Sequence, residues 1–227
     1  MNDFVLTYLP NVVKFWDLIE KSIGQTLYMV SISLFFASLI GIPLGVLLVT
    51  TSRGHLTPLP AFNSILGFII NILRSIPYIV LIIILIPFSR KLIGTSIGPD
   101  AAIISLVVGS APFIARLVET SIREVNRGVI EAAQSMGSTN LQIIRKILIP
   151  EALPGIISGI TVTAVGLVGY SAMAGAVGAG GLGAMAYNYG FNGFKPDILF
   201  VTTVMLIVIV QGAQMIGDAI VRKLDHR

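Results

Sequence analysis

The amino-acid sequence predicts an all-α, polytopic membrane protein with five transmembrane helices in one membrane domain. Of its 227 residues, 55% are hydrophobic and only 11% charged, and the mean hydropathy is +0.91, whereas roughly a quarter of residues are charged in soluble domains. The apolar residues fall in long runs rather than spaced stripes, and the runs are close to the roughly 20 residues needed to cross hydrocarbon. Lysine and arginine divide unequally between the segments joining these runs, as the positive-inside rule expects.

Residues Val12 to Ile23 mix apolar groups with Lys14, Asp17, Glu20 and Lys21, so residues 1–24 read as an N-terminal interfacial segment. Met1 to Leu9 has no basic region ahead of an apolar run, and a cleavable signal is not expected. Residues 25–227 form the membrane domain. Its predicted spans are Gln25 to Val49, Phe62 to Phe88, Ala101 to Val118, Gly155 to Val177 and Ile198 to Ile216. Pro43, Pro77, Pro87 and Pro112 mark kinks within them. An odd number of spans puts the termini on opposite sides. Arg53, Arg116, Arg123, Arg127, Arg145, Lys146, Arg222, Lys223 and Arg227 fall on one side; Lys14, Lys21, Arg90, Lys91 and Lys195 fall on the other. The more basic side is expected to be cytoplasmic, leaving the N-terminus outside and the C-terminus inside.

Several chemistries are excluded. There is no cysteine, and His55 and His226 lie far apart in sequence, so no thiol or metal site is expected, nor any cofactor. The basic residues form no stripe suited to nucleic acid. No G-x-x-x-x-G-K-[ST] phosphate loop occurs. Gly178 to Gly183 does satisfy G-x-G-x-x-G, but it follows a span and lacks a strand–helix unit, so it reads as an outer loop. Nor do serines, histidines and carboxylates form a nucleophile arrangement, and the chain is not expected to be an enzyme.

The most informative segment is the cytoplasmic loop at about 119–154. Val129 to Met136 contains good helix formers, Gly137 suits a left-handed helix end, and Thr139 with Gln142 forms a capping-box pattern starting another helix. Pro150 and Pro154 mark the return to the membrane. A short exposed helix of this kind is suited to sit in a groove of another protein, or merely to connect two spans. Its spacing, E-A-A, three residues, G, nine residues, I-x-L-P, is met by Glu131, Ala132, Ala133, Gly137, Ile147 and Pro150, with Ile149 in place of leucine. It resembles the cytoplasmic-loop signature of permease subunits of bacterial ABC importers.

Arg74 to Tyr78, Gly94 to Gly98, Ala111 to Arg116 and Gly169 to Gly183 make the chain similar to methionine importer permeases of the type I fold, over about Thr26 to Arg222. The resemblance implies a homodimer in the bacterial cytoplasmic membrane, two copies of a separate ATPase and an extracytoplasmic methionine-binding lipoprotein. It implies L-methionine as substrate, with D-methionine as a further candidate. It also implies that Glu131, Ala132, Ala133 and Gly137 form the ATPase-coupling contact. Glycine-rich strings like Gly178 to Gly183 also occur in permeases for glycine betaine and phosphonates. The alternatives are therefore a permease for another small solute, such as glycine betaine, and a proton-coupled secondary transporter, which would need acidic or histidine residues at mid-membrane.

For the pathway, Gly166, Gly169, Ser171, Ala172, Ala174 and Gly175 would let two copies pack closely about a twofold axis. Tyr170, Ser171 and Met173 are the candidate pathway and gate residues in that string, Met173 as an apolar plug or as packing filler. Arg74 is the charge deep within a predicted span, with a wet cavity or a helix broken before Pro77 as its candidate surroundings.

Overall fold

The computed structural model describes residues 9–224. Residues 1–8 of the predicted interfacial segment, together with His226 and Arg227, lie outside the described residues. Every regular element among the described residues is helical. A short helix, α1 (Pro10–Lys14), precedes α2 (Trp16–Thr50), which joins the second half of the interfacial segment and the first span in one rod of 35 residues. At 1.5 Å per residue α2 is about 52 Å long, well beyond the roughly 30 Å of a hydrocarbon core.

The second predicted span is not a single rod. Helices α3 (Pro60–Ser75) and α4 (Tyr78–Ile93) meet at an angle of 105°. The break lies at Ile76, whose ψ of 122° is extended. Proline forces this on the residue before it and supplies no N–H of its own, so Pro77 ends one helix and opens the next. The chain then enters α5 (Pro99–Arg123), the loop helix α6 (Arg127–Ser135), and α7 (Asn140–Ile143). A π-helical turn, Ile144–Leu148, joins α7 to α8 (Ile149–Ala174). A second wide turn, Gly175–Ala179, leads to α9 (Gly181–Met185), a third spans Ala186–Phe191, and α10 (Pro196–Leu224) closes the described chain.

Small residues set the distances between helices. A Cβ at Gly41 would stand 2.7 Å from Ile114 Cβ, and one at Gly45 would stand 2.6 Å from the Ala115 carbonyl oxygen. With buried Ala37 one turn earlier, they make a small-xxx-small stripe on which α5 lies. Two apolar clusters stack along these helices. The cluster at the loop end joins Val49, Ile114, Val118, Ile122, Leu148 and Ile156. The cluster at the opposite end joins Met29, Leu81, Leu106, Leu167 and Val168.

The glycine-rich segment reverses the chain at the opposite end. Gly178, Gly180 and Gly181 have φ of +97°, +83° and +75°, a region costly for residues with a Cβ. Helix α9 begins against α2, whose side chains cap it: Gly181 N–H donates to Gln25 Oε1 at 2.9 Å, and Leu182 N–H donates to Thr26 Oγ1 at 2.9 Å. Helix starts leave such N–H groups without intrahelical partners, so α2 supplies what α9 lacks.

Candidate coupling loop and translocation pathway

The loop folds as its sequence predicts. Asn126 caps α6, its Oδ1 accepting from Gly128 N–H at 2.8 Å. At the other end Gly137 has φ +77°, its N–H donates to the Gln134 carbonyl at 2.9 Å, and Ser138 N–H donates to the Ala133 carbonyl at 3.1 Å. This pair of reversed bonds ends a helix sharply and satisfies its last carbonyls. The capping box is complete: Thr139 N–H donates to Gln142 Oε1 at 2.8 Å, and Gln142 N–H donates to Thr139 Oγ1 at 3.4 Å.

These caps fix which face of α6 is free. Ala133 is buried in the loop-end cluster, whereas Glu131, Ala132 and Gly137 are exposed. Asn140 Nδ2 donates to the Leu56 carbonyl at 3.1 Å, joining the hairpin to the loop after α2. From Asn140 the chain runs helically, through the π-helical turn Ile144–Leu148, to Ala174. A force on α6 therefore has a short covalent path into α8. Beside α6, His55 is held below its ordinary pKa, first by burial and then by the positive charges of Arg123 and Arg127.

Glu119 is the acid at the end of α5 nearest this loop. It accepts from Arg123 Nε and Nη2 at 3.0 Å and 2.9 Å, and from Arg116 Nη1 at 2.6 Å. Arg116 Nη2 also donates to the Gly67 carbonyl at 3.0 Å and Asn71 Oδ1 at 2.9 Å, tying α3 to α5.

The break between α3 and α4 opens a cavity of about 210 Å³ lined by Arg74, Tyr78, Gly109, Phe113 and Tyr170, among others. Arg74 lies over the Phe113 ring, 5.8 Å from its centroid. Tyr78 and Tyr170 stack with centroids 4.6 Å apart and planes 15° apart, and the Tyr78 hydroxyl is 3.1 Å from Ser105 Oγ. Two of the residues singled out in the sequence, Arg74 and Tyr170, thus meet at one cavity, with the helix break before Pro77 beside them.

Ser171 and Met173 do not line it. Ser171 is 1% exposed and its hydroxyl donates to the Val168 carbonyl at 2.8 Å, which turns it into α8's own packing. Met173 is half exposed and follows Val162, Gly166 and Gly169 along one open stripe of α8. Gly166 and Gly169 have open space where a Cβ would stand. Tyr78, Gly109 and Phe113 were not anticipated as lining residues. Their only sequence signal was their position beside Pro77 and Pro112, where helices bend.

Comparison with known proteins places these features. The family described as binding-protein-dependent transport system inner membrane component matches residues 41–227. The probable D-methionine transport system permease protein MetI of Vibrio cholerae is 54% identical over 93% of this chain and 94% of its own length. The methionine import system permease protein MetP of Bacillus subtilis is 52% identical over 97% of this chain and 98% of its own. A structure of the MetNI methionine ABC transporter in an inward-facing conformation superimposes with a TM-score of 0.92 at 46% identity, covering 94% of this chain and 99% of that one. The resemblance carried by Glu131 to Pro150 is borne out, and so is the type I importer fold. The chain belongs to the binding-protein-dependent transport system inner membrane component family, the non-catalytic permease subunits of ABC importers, and groups there with permeases named for methionine.

Proposed function

We propose that this chain imports methionine across the bacterial cytoplasmic membrane as a homodimer driven by two copies of a separate ATPase. The observation that carries this reading is the doubly capped helix Arg127–Ser135, exposed on one face and joined by the tight turn Met136–Thr139 to the rod that starts at Asn140 and enters the membrane. Glu131, Ala132 and Gly137 form the coupling contact, with Ala132 and Gly137 allowing close approach and Glu131 as the polar partner, while Ala133 seats the helix on the loop-end cluster. The relatives' names support methionine as the solute, and the name of the Vibrio cholerae relative supports the D form beside the L form.

The open stripe of α8 is the face offered to the second copy. Met173 from each copy meets near the twofold axis and plugs the path, since a flexible thioether can seal and then withdraw as helices rotate. Arg74 and Tyr170 line the route, and Ser171 packs within the helix that carries Tyr170. The loop end, rich in arginine, is cytoplasmic and the N-terminus is outside. The glycine-rich reversal at the opposite end receives an extracytoplasmic binding lipoprotein that delivers the solute.

The test is ATP hydrolysis by the permease and its ATPase in a bilayer, with and without methionine-loaded binding protein. Stimulation by the loaded protein, lost in Gly137→Pro, is expected. Hydrolysis indifferent to the binding protein would reject the importer reading.

A further inference from the structure

We propose that the cavity beneath Arg74 is an intramembrane binding site for a free amino acid, with Arg74 holding the carboxylate and the aromatic walls holding the side chain. The proposal rests on the methionine reading above and names the site inside the permease where the solute pauses.

Depth is the first support. Gly109 and Phe113 line the cavity from the middle of α5 (Pro99–Arg123), with Phe113 about 15 Å from its Arg123 end. A guanidinium at that depth is costly unless something compensates it. The ion pairs among the described residues join Arg116 and Arg123 to Glu119, and neither involves Arg74. Phe113 offers its ring at 5.8 Å, a weak counterpart to a full charge. The cavity lining contains no carboxylate. Arg74 is exposed in the single chain and free to meet an anionic group entering the cavity, and a carboxylate matches the two-pronged donor fork of arginine.

The walls supply the rest. Tyr78, Tyr170 and Phe113 present aromatic surface around the same space, and a thioether packs favourably against aromatic rings. The volume is about 210 Å³, larger than the roughly 150 Å³ cavity that accepts benzene. Gly109 keeps it open, because a Cβ there would stand 3.3 Å from Leu81 Cδ2 and 3.5 Å from Tyr78 Cδ2. The Tyr78 hydroxyl is held by Ser105, so its ring is fixed in place as a wall.

The experiment uses the permease with its ATPase and binding protein in proteoliposomes, and the permease–ATPase complex in nanodiscs. Uptake of labelled methionine is measured for the wild type, Arg74→Lys and Arg74→Gln. Binding of labelled methionine to the complex is competed with unlabelled methionine or methioninol, which keeps the side chain but lacks the carboxylate. In the wild type, methioninol should compete roughly tenfold or more weakly than methionine. Arg74→Gln should erase that difference and cut uptake by a similar factor, while Arg74→Lys, which keeps the charge but not the two-pronged fork, should fall between the two. Equal competition by methioninol in the wild type overturns the site whether or not the variants assemble. So does unchanged methionine binding by Arg74→Gln. If the wild type imports methionine and either of these results is found, the site falls and the importer reading stands. If the wild type imports no methionine, the substrate reading falls and the methionine site falls with it.

Discussion

Gln25 Oε1 accepts a hydrogen bond from the backbone N–H of Gly181 at 2.9 Å, joining the first membrane helix to the reversal that follows the fourth span. Thr26 does the same for Leu182 and is 1% exposed. Thr26→Val keeps the shape of the side chain and removes the acceptor, orphaning a buried N–H. Loss of stability of about 1–3 kcal/mol is expected, read as a lower thermal midpoint of the purified permease–ATPase complex.

Gly45 should tolerate no side chain. Ala there would place its Cβ 2.6 Å from the Ala115 carbonyl oxygen and from Val118 Cβ, and overpacking of this kind costs about 1–3 kcal/mol. Gly24, also within α2, has open space around it. Gly24→Ala should therefore leave stability unchanged or raise it by about 0.5–1 kcal/mol. Thermal unfolding of the two variants side by side tests the contact rather than the residue type.

Glu119→Gln should destabilise the loop end. It removes the charge that Arg116 and Arg123 both face, and Arg116 also anchors α3 through Gly67 and Asn71. Breaking a partly buried charge cluster from one side costs on the order of 3 kcal/mol. Faster protease cleavage between α5 and α6 is expected, and a pattern identical to the wild type would show that the cluster contributes little.

His55 predicts a pH dependence. Burial, then Arg123 and Arg127, lower its pKa in the folded chain, so folding favours the neutral ring. The unfolded chain takes up the proton first, near its ordinary value of about 6.5. The stabilisation is full above that pH and is lost as pH falls below it, toward the lower folded value. His55→Gln should flatten the fall in thermal midpoint between neutral and mildly acid pH.

Much of this architecture was legible locally. The apolar runs marked the spans, and Gly137, Thr139 and Gln142 marked the loop caps by residue type and spacing alone. Pro77 marked a break, but not its 105° angle, which depends on how α4 packs against α5. The bonds from Gln25 and Thr26 to α9 were invisible because each joins residues 156 positions apart. Gly41 and Gly45 carry no local signal of their role, which comes from Ile114 and Ala115 lying against them on α5. Ser171 fell in a promising string, yet its helical phase turned it inward while Tyr170 and Met173 faced outward.

The most direct test of the central claim is uptake of labelled methionine into proteoliposomes holding this permease, its ATPase and its binding protein, with ATP inside. Accumulation that needs all three components and is abolished by Gly137→Pro, which cannot adopt the φ of +77° found there, is the predicted result. Uptake independent of ATP and of the partner proteins would contradict it.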